Sequence, residues 1–129
     1  MNLRQIGDII SRLFSKEGVS NILFSDMENA ELEKWYYINE GTIRYKFKYI
    51  AEDVIVSITE WLEDDVFNLH QHTDCDETIF VIRGNLKSEL DNLSRTIYQK
   101  LYYSAGIVHK IHGTKGTFIS VKFDKIPKE

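Results

Sequence analysis

Two histidines and a glutamate stand close together in the middle of the sequence. His70 and His72 are one residue apart, and Glu77 follows a short polar stretch over residues 73–76. Residues two apart on a strand point to the same face, so a strand here would direct both imidazoles to one side of a sheet. The polar stretch predicts a turn, after which Glu77 would open the next strand on that side. Imidazoles and a carboxylate that converge on one point form a site for a divalent transition metal.

A second stretch downstream carries another histidine. Gly106 predicts a turn, and two apolar residues then lead into His109. On a strand that starts there, His109 and Ile111 would share one face, while His112 would lie on the opposite face. We therefore interpret His112 as a surface or core histidine and not as a metal ligand.

The first of these stretches resembles a known motif. The pattern His70-x-His72-x4-Glu77-x6-Gly84 is similar to the first motif of the cupin superfamily. The resemblance covers about residues 54–123. It implies a mainly all-β fold, a small antiparallel β-barrel or jelly roll, with one metal ion bound inside.

The second stretch is similar to the core of the second cupin motif, through Gly106-x2-His109. It departs from that motif at Ser104, where a proline is usual, at Gly113, where an asparagine is frequent, and over residues 97–103, which lack the usual glycine. These departures concern the shape of the turn and not the ligand types. The ligand set implied by the resemblance consists of three histidines and one glutamate: His70, His72, Glu77 and His109.

Nitrogen and oxygen ligands without a thiolate suit one divalent transition metal, Fe, Mn, Ni or Zn, and the sequence does not choose among them. Four protein ligands leave two positions of an octahedral metal for a small-molecule ligand or substrate. One hypothesis is therefore a metal-dependent enzyme, a dioxygenase, isomerase or lyase, acting on a small oxygenated metabolite such as a sugar or organic acid. One alternative is a non-catalytic module that binds or senses a small ligand or a metal, and another is a structural protein with a vestigial site.

Residues near the motifs have two interpretations each. Asp74 and Asp76 could orient a ligand imidazole, but turn aspartates usually bond to the local backbone. Cys75, predicted to lie in the turn, could be a redox-active neighbour of the metal, but a lone turn cysteine without a nearby cation is interpreted as having no role. Three tyrosines could offer a phenol to the pocket, although core packing is their default: Tyr98, Tyr102 and Tyr103. Three residues on the strand before the motif could line the pocket: Ser57, Thr59 and Trp61.

The sequence pattern outside the motifs predicts further short strands. A hairpin over residues 33–38 and 42–50 turns at 39–41, and its second strand alternates core residues with the cations Arg44, Lys46 and Lys48. These cations could form an anion site, but edge-strand charges in water explain them better. A strand is predicted over 95–103, another over 118–123, and a tail over 124–129. Residues 19–30 could hold a short strand or a helical turn capped by Ser25.

The N-terminal apolar residues recur at spacings of three and four, which predicts a helix over about residues 2–16. The 129 residues predict one domain, 1–129, with a barrel core over about 42–123. A net charge of −4 argues against nucleic acid as a partner. The polar start, the lack of a long apolar run and the single cysteine predict a cytoplasmic protein without a membrane partner. Exposed strand edges and the helical stripe predict a homodimer.

Overall fold

A computed structural model describes residues 19–127 of the chain. The helix predicted over about residues 2–16 lies outside the described residues, and the single domain over 1–129 stays a prediction. Within the described range, no helix is both long enough and apolar enough to cross a membrane.

The described residues form two β-sheets with a hydrophobic core between them. In chain order the elements are β1 (Ser20–Asn21), α1 (Phe24–Met27), β2 (Tyr36–Ile38), a 3-10 turn (Asn39–Gly41), β3 (Ile43–Ile50), β4 (Val54–Trp61), β5 (Asp65–Gln71), β6 (Cys75–Arg83), β7 (Leu86–Ser88), β8 (Ser94–Arg95), β9 (Lys100–Tyr103), β10 (His109–Gly113) and β11 (Phe118–Lys125). One sheet has five strands in the order β1-β5-β10-β7-β8, and the other has six in the order β2-β3-β4-β11-β6-β9. Of these strand pairs, β1 and β5 are parallel and the others are antiparallel. The predicted mainly antiparallel β fold is therefore confirmed.

The inner face of the six-stranded sheet follows the predicted two-residue period. On β4 the alternate residues Ile55, Ser57, Thr59 and Trp61 are buried, and the residues between them are partly exposed. The same alternation on β3 ends at a bulge, beyond which Tyr49, predicted to face the core, is exposed. A bulge shifts the register by one residue, so the side chains that follow turn to the other face.

The prediction of one continuous strand over residues 95–103 is wrong, because the strand is interrupted between β8 and β9. β8 pairs with β7 in the five-stranded sheet, whereas β9 pairs with β6 in the six-stranded sheet. The chain crosses between the sheets at a turn in which Tyr98 has a φ of 68°. The backbone N–H of Tyr98 donates to the carbonyl of Val81 at 2.8 Å, which fixes this turn against β6. A strand that changes sheets cannot stay regularly extended, and the sequence pattern does not reveal the change.

The ambiguous region over residues 19–30 contains both a two-residue strand, β1, and the short helix α1. Ser25 does not cap this helix, because α1 begins one residue before it. Its first N–H, on Phe24, donates instead to Oδ1 of Asp74 at 2.8 Å. A side chain distant in sequence therefore satisfies the helix start.

The three cations of β3 are paired with carboxylates. Arg44 contacts Glu60 at 2.6 Å, and Lys48 contacts Glu33 at 2.8 Å. Lys46 is 3.8 Å from the same Glu33. The prediction of an edge strand is wrong, since β3 lies between β2 and β4. Each of the three cations therefore lies close to a carboxylate on the outer face of the sheet.

The last strand is longer than predicted. β11 continues to Lys125, so the first two residues of the predicted tail belong to the sheet. β11 lies between β4 and β6 and pairs with both along its length. This central position explains why its alternate residues are buried down to Phe123.

Candidate metal centre

The structure brings the four predicted residues together at one point. His70 lies near the end of β5 and His72 directly follows that strand, while Glu77 lies on β6 and His109 opens β10. β5 and β10 are neighbours in one sheet, where His70 and His109 are register partners. β6 belongs to the other sheet. The cluster therefore joins the inner faces of both sheets.

The side chains of the cluster are buried and close together. One nitrogen or oxygen atom from each of the four residues lies within 4.8 Å of the others. Nε2 of His109 is 2.9 Å from Oε1 of Glu77, and Nε2 of His72 is 3.3 Å from Oε2 of the same carboxylate. No residue of the cluster is more than 5% exposed. Water therefore has little access to these atoms.

Backbone carbonyls fix the orientation of all three imidazole rings. Because a carbonyl only accepts hydrogen bonds, each Nδ1 must donate, and in the neutral ring Nε2 then keeps its lone pair. This is how metal-binding histidines are commonly oriented. The acceptors are the carbonyls of Asn68 for His70 (2.7 Å), Ile22 for His72 (2.9 Å) and Ile107 for His109 (2.9 Å).

The contacts between the rings and the carboxylate require a positive charge. Nε2 of His72, Nε2 of His109 and Oε1 of Glu77 are buried without a hydrogen-bond partner among the described residues. If both rings are neutral, each short contact places an Nε2 lone pair against a lone pair of the carboxylate. Two lone pairs repel each other unless a proton or a cation lies between them. Neighbouring ligands at about 2.1 Å from an octahedral metal are about 3 Å apart. The two imidazole–carboxylate spacings therefore fit neighbouring ligands of a divalent metal.

Burial and mutual contact shift the pKa values in the cluster. Burial, followed by the charges of His109 and His72, lowers the pKa of His70 to about 3, so this ring is neutral at physiological pH. Burial alone would raise the pKa of Glu77, but the positive charges of His72 and His109 hold it well below its usual range. Burial also opposes the charge on His72, yet the Glu77 carboxylate outweighs it and raises the pKa of His72. Glu77 is therefore a buried carboxylate that needs a cation beside it.

Aromatic rings pack against the three imidazoles and restrict their movement. Tyr103 stacks on His109 with ring centroids 3.9 Å apart and planes 11° apart. Phe67 lies 4.8 Å from His70. Phe123 lies 5.0 Å from His72. The ligand rings are held by packing as well as by hydrogen bonds.

The three tyrosines considered from sequence do not offer a phenol to the cavity. Tyr98 and Tyr102 are exposed. The hydroxyl of Tyr103 is 2.6 Å from Oγ of Ser88, outside the cavity lining. The tyrosine that does line it is Tyr45, which sequence reasoning missed. The alternation of β3 placed Tyr45 on the inner face, but nothing in the sequence linked that strand to the histidines.

The two aspartates before Glu77 accept hydrogen bonds from backbone N–H groups that are distant in sequence, so the predicted bonding to the local backbone is wrong. Besides the contact of Asp74 with the start of α1, Oδ1 of Asp76 accepts from the N–H of Ala105 at 2.8 Å. Cys75 is not in the turn but is the first residue of β6, where it is buried. His112 lies on the outer face of β10, with Nε2 2.6 Å from Oε1 of Glu89. None of them contributes an atom to the metal cluster.

A cavity of about 60 Å³ lies beside the cluster, between the sheets. Three cluster residues reach it, His70, His72 and Glu77. Ser57 and Thr59 also line it, as predicted, whereas Trp61 does not. Trp61 is fully buried elsewhere, and its indole N–H donates to the carbonyl of Asp65 at 3.0 Å. A small molecule in the cavity would therefore touch the candidate metal site directly.

Comparison with solved structures places this architecture among known proteins, although no protein-family model and no curated protein sequence matches the chain. KdgF from Halomonas sp. superposes with a TM-score of 0.66 at 15% identity, over 74% of this chain and 89% of that one. An RmlC-like cupin from Shewanella frigidimarina gives 0.62 at 10% identity, over 74% and 86%. A predicted oxalate decarboxylase from Thermotoga maritima gives 0.58 at 11% identity, over 65% and 81%. The chain has the cupin fold.

The second cupin motif keeps its turn despite the sequence departures. Gly106 has a φ of 85°, and its N–H donates to the carbonyl of His72 at 2.9 Å. The N–H of Ile107 donates to the carbonyl of Ser104 at 3.1 Å, closing the turn where a proline is usual. The turn thus ties one cluster histidine to the segment that leads into His109.

The glycine of the first cupin motif is required by close packing. Gly84 has a φ of 92°, and a Cβ atom there would lie 2.6 Å from Cα of Thr117. The Thr117 hydroxyl accepts from the N–H of Asn85 at 3.1 Å and donates to its carbonyl at 3.0 Å. The motif therefore fixes the end of β6 against the loop before β11, on the strand that carries Glu77.

Proposed function

We propose that the protein is a metal-dependent cupin that binds or transforms a small oxygenated metabolite. The observation that carries this proposal is the convergence of the imidazole Nε2 atoms and a buried carboxylate, with every Nδ1 proton committed to a backbone carbonyl. His70, His72, Glu77 and His109 would hold one divalent metal, Fe, Mn, Ni or Zn. One solved structure with the same fold is named a predicted oxalate decarboxylase, and oxalate is a small oxygenated molecule of the proposed kind.

When bound, the metal would supply Lewis-acid polarisation of an oxygen atom of the ligand, or activation of dioxygen. The protein would supply the remaining conditions. The carbonyl contacts and ring stacking hold the imidazoles in place, and burial excludes bulk water, which strengthens charge interactions inside the site. Glu77 would act as a ligand and not as a general base, because its carboxylate faces two imidazoles.

The test is elemental analysis of the purified protein together with turnover assays. We expect about one metal ion per chain. Oxygen uptake with an iron-loaded protein would favour a dioxygenase, and conversion without oxygen uptake would favour an isomerase or lyase. A chain that takes up no divalent transition metal would contradict the proposal.

The alternative function is a non-catalytic small-ligand or metal-sensing module. It is favoured by the residues that line the cavity, because among them no carboxylate or histidine lies outside the cluster. Among the described residues that line the cavity, there is thus no carboxylate or histidine that could act as a general acid or base apart from the proposed metal ligands. Tight binding of a metabolite by the metal-loaded protein, without conversion, would support this alternative.

Metal uptake is expected to release protons and to weaken as the pH falls. The pKa of His72 is raised by Glu77, so in the metal-free site this ring keeps its proton to higher pH than an ordinary histidine. A metal must displace that proton, so affinity falls with pH below the raised pKa and levels off above it. Titration calorimetry with Zn²⁺ in two buffers of different ionisation enthalpy measures the release. Equal heats in both buffers at about pH 6 would contradict this prediction.

We also propose that the protein forms a homodimer. β9 is an outer strand of the six-stranded sheet, and apolar side chains on or beside it are exposed, including Ile97, Tyr98 and Tyr102. An exposed strand edge with apolar side chains favours association with another strand. Light scattering is expected to give twice the chain mass, and a monomer mass at micromolar concentration would contradict it.

A further inference from the structure

The cavity beside the cluster has polar groups at two separated places. One is the cluster itself, represented by Glu77 on β6. The other is a group of three hydroxyls on neighbouring strands, Tyr45 on β3 and Ser57 and Thr59 on β4. Tyr45 and Thr59 are direct register partners, so these residues lie side by side on the inner face of the sheet.

The strand order separates the two polar places. β3 and β6 are three strands apart, with β4 and β11 between them. At about 4.8 Å per strand, the backbones of β3 and β6 are about 14 Å apart. The polar ends of the Tyr45 and Glu77 side chains can be closer to each other than that. The two residues also lie at different levels along the strands, since Glu77 pairs with Phe123 whereas Thr59, the partner of Tyr45, pairs with Ile119.

The wall between the two places is apolar. Val121 lies between Ser57 on β4 and Ile79 on β6 as the register partner of both, and Ile119 precedes it on the same face. All three aliphatic residues line the cavity. A ligand with hydroxyl groups along its middle would lose their hydrogen bonds to water against this wall without replacement.

The hydroxyl of Tyr45 has no hydrogen-bond partner within residues 19–127. Tyr45 is 5% exposed, and its OH makes no hydrogen bond to any residue that the structure describes. Buried hydroxyls are rarely left in this state, so a ligand acceptor would complete it. Burial raises the pKa of Tyr45, so the phenol stays protonated and can donate.

The lining also limits the charge of the ligand. Among the described residues that line the cavity there is no lysine or arginine. A carboxylate far from the metal would therefore be buried without a cation. A divalent metal with one glutamate ligand would leave a net positive charge, which suits an anionic oxygen at the metal end.

Building on the proposed metal site, we propose that its ligand is a small molecule with an oxygen-donor head, an apolar body and one uncharged acceptor oxygen that receives the hydrogen bond of Tyr45. The head would bind the metal, the body would lie over Val121, Ile119 and Ile79, and the distal oxygen would be a ketone, ether or hydroxyl. A polyhydroxylated sugar acid does not fit this arrangement. Tyr45 is thus a specificity-determining residue.

The test uses hydroxamates of six carbons on the zinc-loaded protein, with affinities from titration calorimetry. The probes share a metal-binding head and differ in the body: 5-oxohexanohydroxamate has a distal ketone, hexanohydroxamate has none, and gluconohydroxamate is polyhydroxylated. We expect the ketone probe to bind at least about tenfold more tightly than the sugar-derived probe. The Tyr45→Phe variant should bind the ketone probe about fivefold to tenfold more weakly, the value of one hydrogen bond. Its affinity for hexanohydroxamate should stay within about twofold of the wild-type value.

Tyr36→Phe is the matched control. Tyr36 is also buried and stacks on Tyr45 at 5.2 Å, but its hydroxyl accepts from the N–H of Glu31 and does not line the cavity. It should leave the affinity of every probe unchanged. A purely structural role for the Tyr45 hydroxyl predicts a lower melting temperature for Tyr45→Phe and equal losses for all probes, whereas we expect an unchanged or higher melting temperature.

The outcomes separate this inference from the proposed function. A chain that takes up no zinc overturns both. A zinc-loaded chain that fails to bind the ketone probe, binds gluconohydroxamate as tightly, or keeps full affinity for the ketone probe in Tyr45→Phe overturns only this inference. Selective loss of the ketone probe in that variant supports it.

Discussion

Replacing Glu77 with glutamine is expected to weaken metal binding by about 100-fold or more. The change keeps the size of the side chain but removes the negative charge that faces Nε2 of His72 and of His109. A carboxamide is a poor ligand for a divalent transition metal beside imidazoles, and it no longer offsets the metal charge in a buried site. The measurements are zinc content after dialysis and titration calorimetry.

Glu89→Gln provides the matched control, because Glu89 also contacts a histidine, His112, at 2.6 Å but lies at the surface. It should retain full metal content. Wild-type protein at a free metal concentration of 100 times its dissociation constant should gain about 2.7 kcal/mol of stability, and Glu77→Gln should gain almost none. Undiminished zinc in a folded Glu77→Gln protein would remove Glu77 from the ligand set.

Replacing Gly84 with alanine is expected to lower the free energy of unfolding by about 3 kcal/mol. Two costs add at this position. The φ of 92° is unfavourable for a residue with a Cβ atom, and that atom would lie 2.5 Å from Oγ1 and 2.6 Å from Cα of Thr117. Since one contact is with backbone, a side-chain rotation cannot relieve it. The melting temperature should fall by about 12 °C.

Gly116→Ala separates the two costs. Gly116 has a φ of 87°, but a Cβ atom there would meet nothing within 4 Å. Only the backbone penalty remains, so we expect a loss of about 1 kcal/mol and a fall of about 4 °C. Equal melting temperatures for the two variants would show that close packing against Thr117 does not explain the motif glycine.

Much of the fold could be predicted because hydrophobic alternation is a local signal. The buried face of β4 and the buried face of β6, which carries Glu77, Ile79 and Val81, both follow a period of two. The break between β8 and β9 could not be predicted, because it depends on which sheet each half pairs with. The same limit applies to the caps, since Asp74 reaches the start of α1 from 50 residues away in sequence.

The candidate site divides in the same way. The sequence by itself indicated that His70, His72 and Glu77 could share one face, because their types and their spacing on strands and a turn need only the period of two, whereas His109 joined the set through the resemblance to the second cupin motif. Only the tertiary structure decided which imidazole nitrogen faces inward, because the carbonyls that accept the Nδ1 protons come from Asn68, Ile22 and Ile107. It also decided that Tyr45 lines the same cavity as the cluster, because β3 joins the six-stranded sheet through strand pairing and not through proximity to the motifs along the chain.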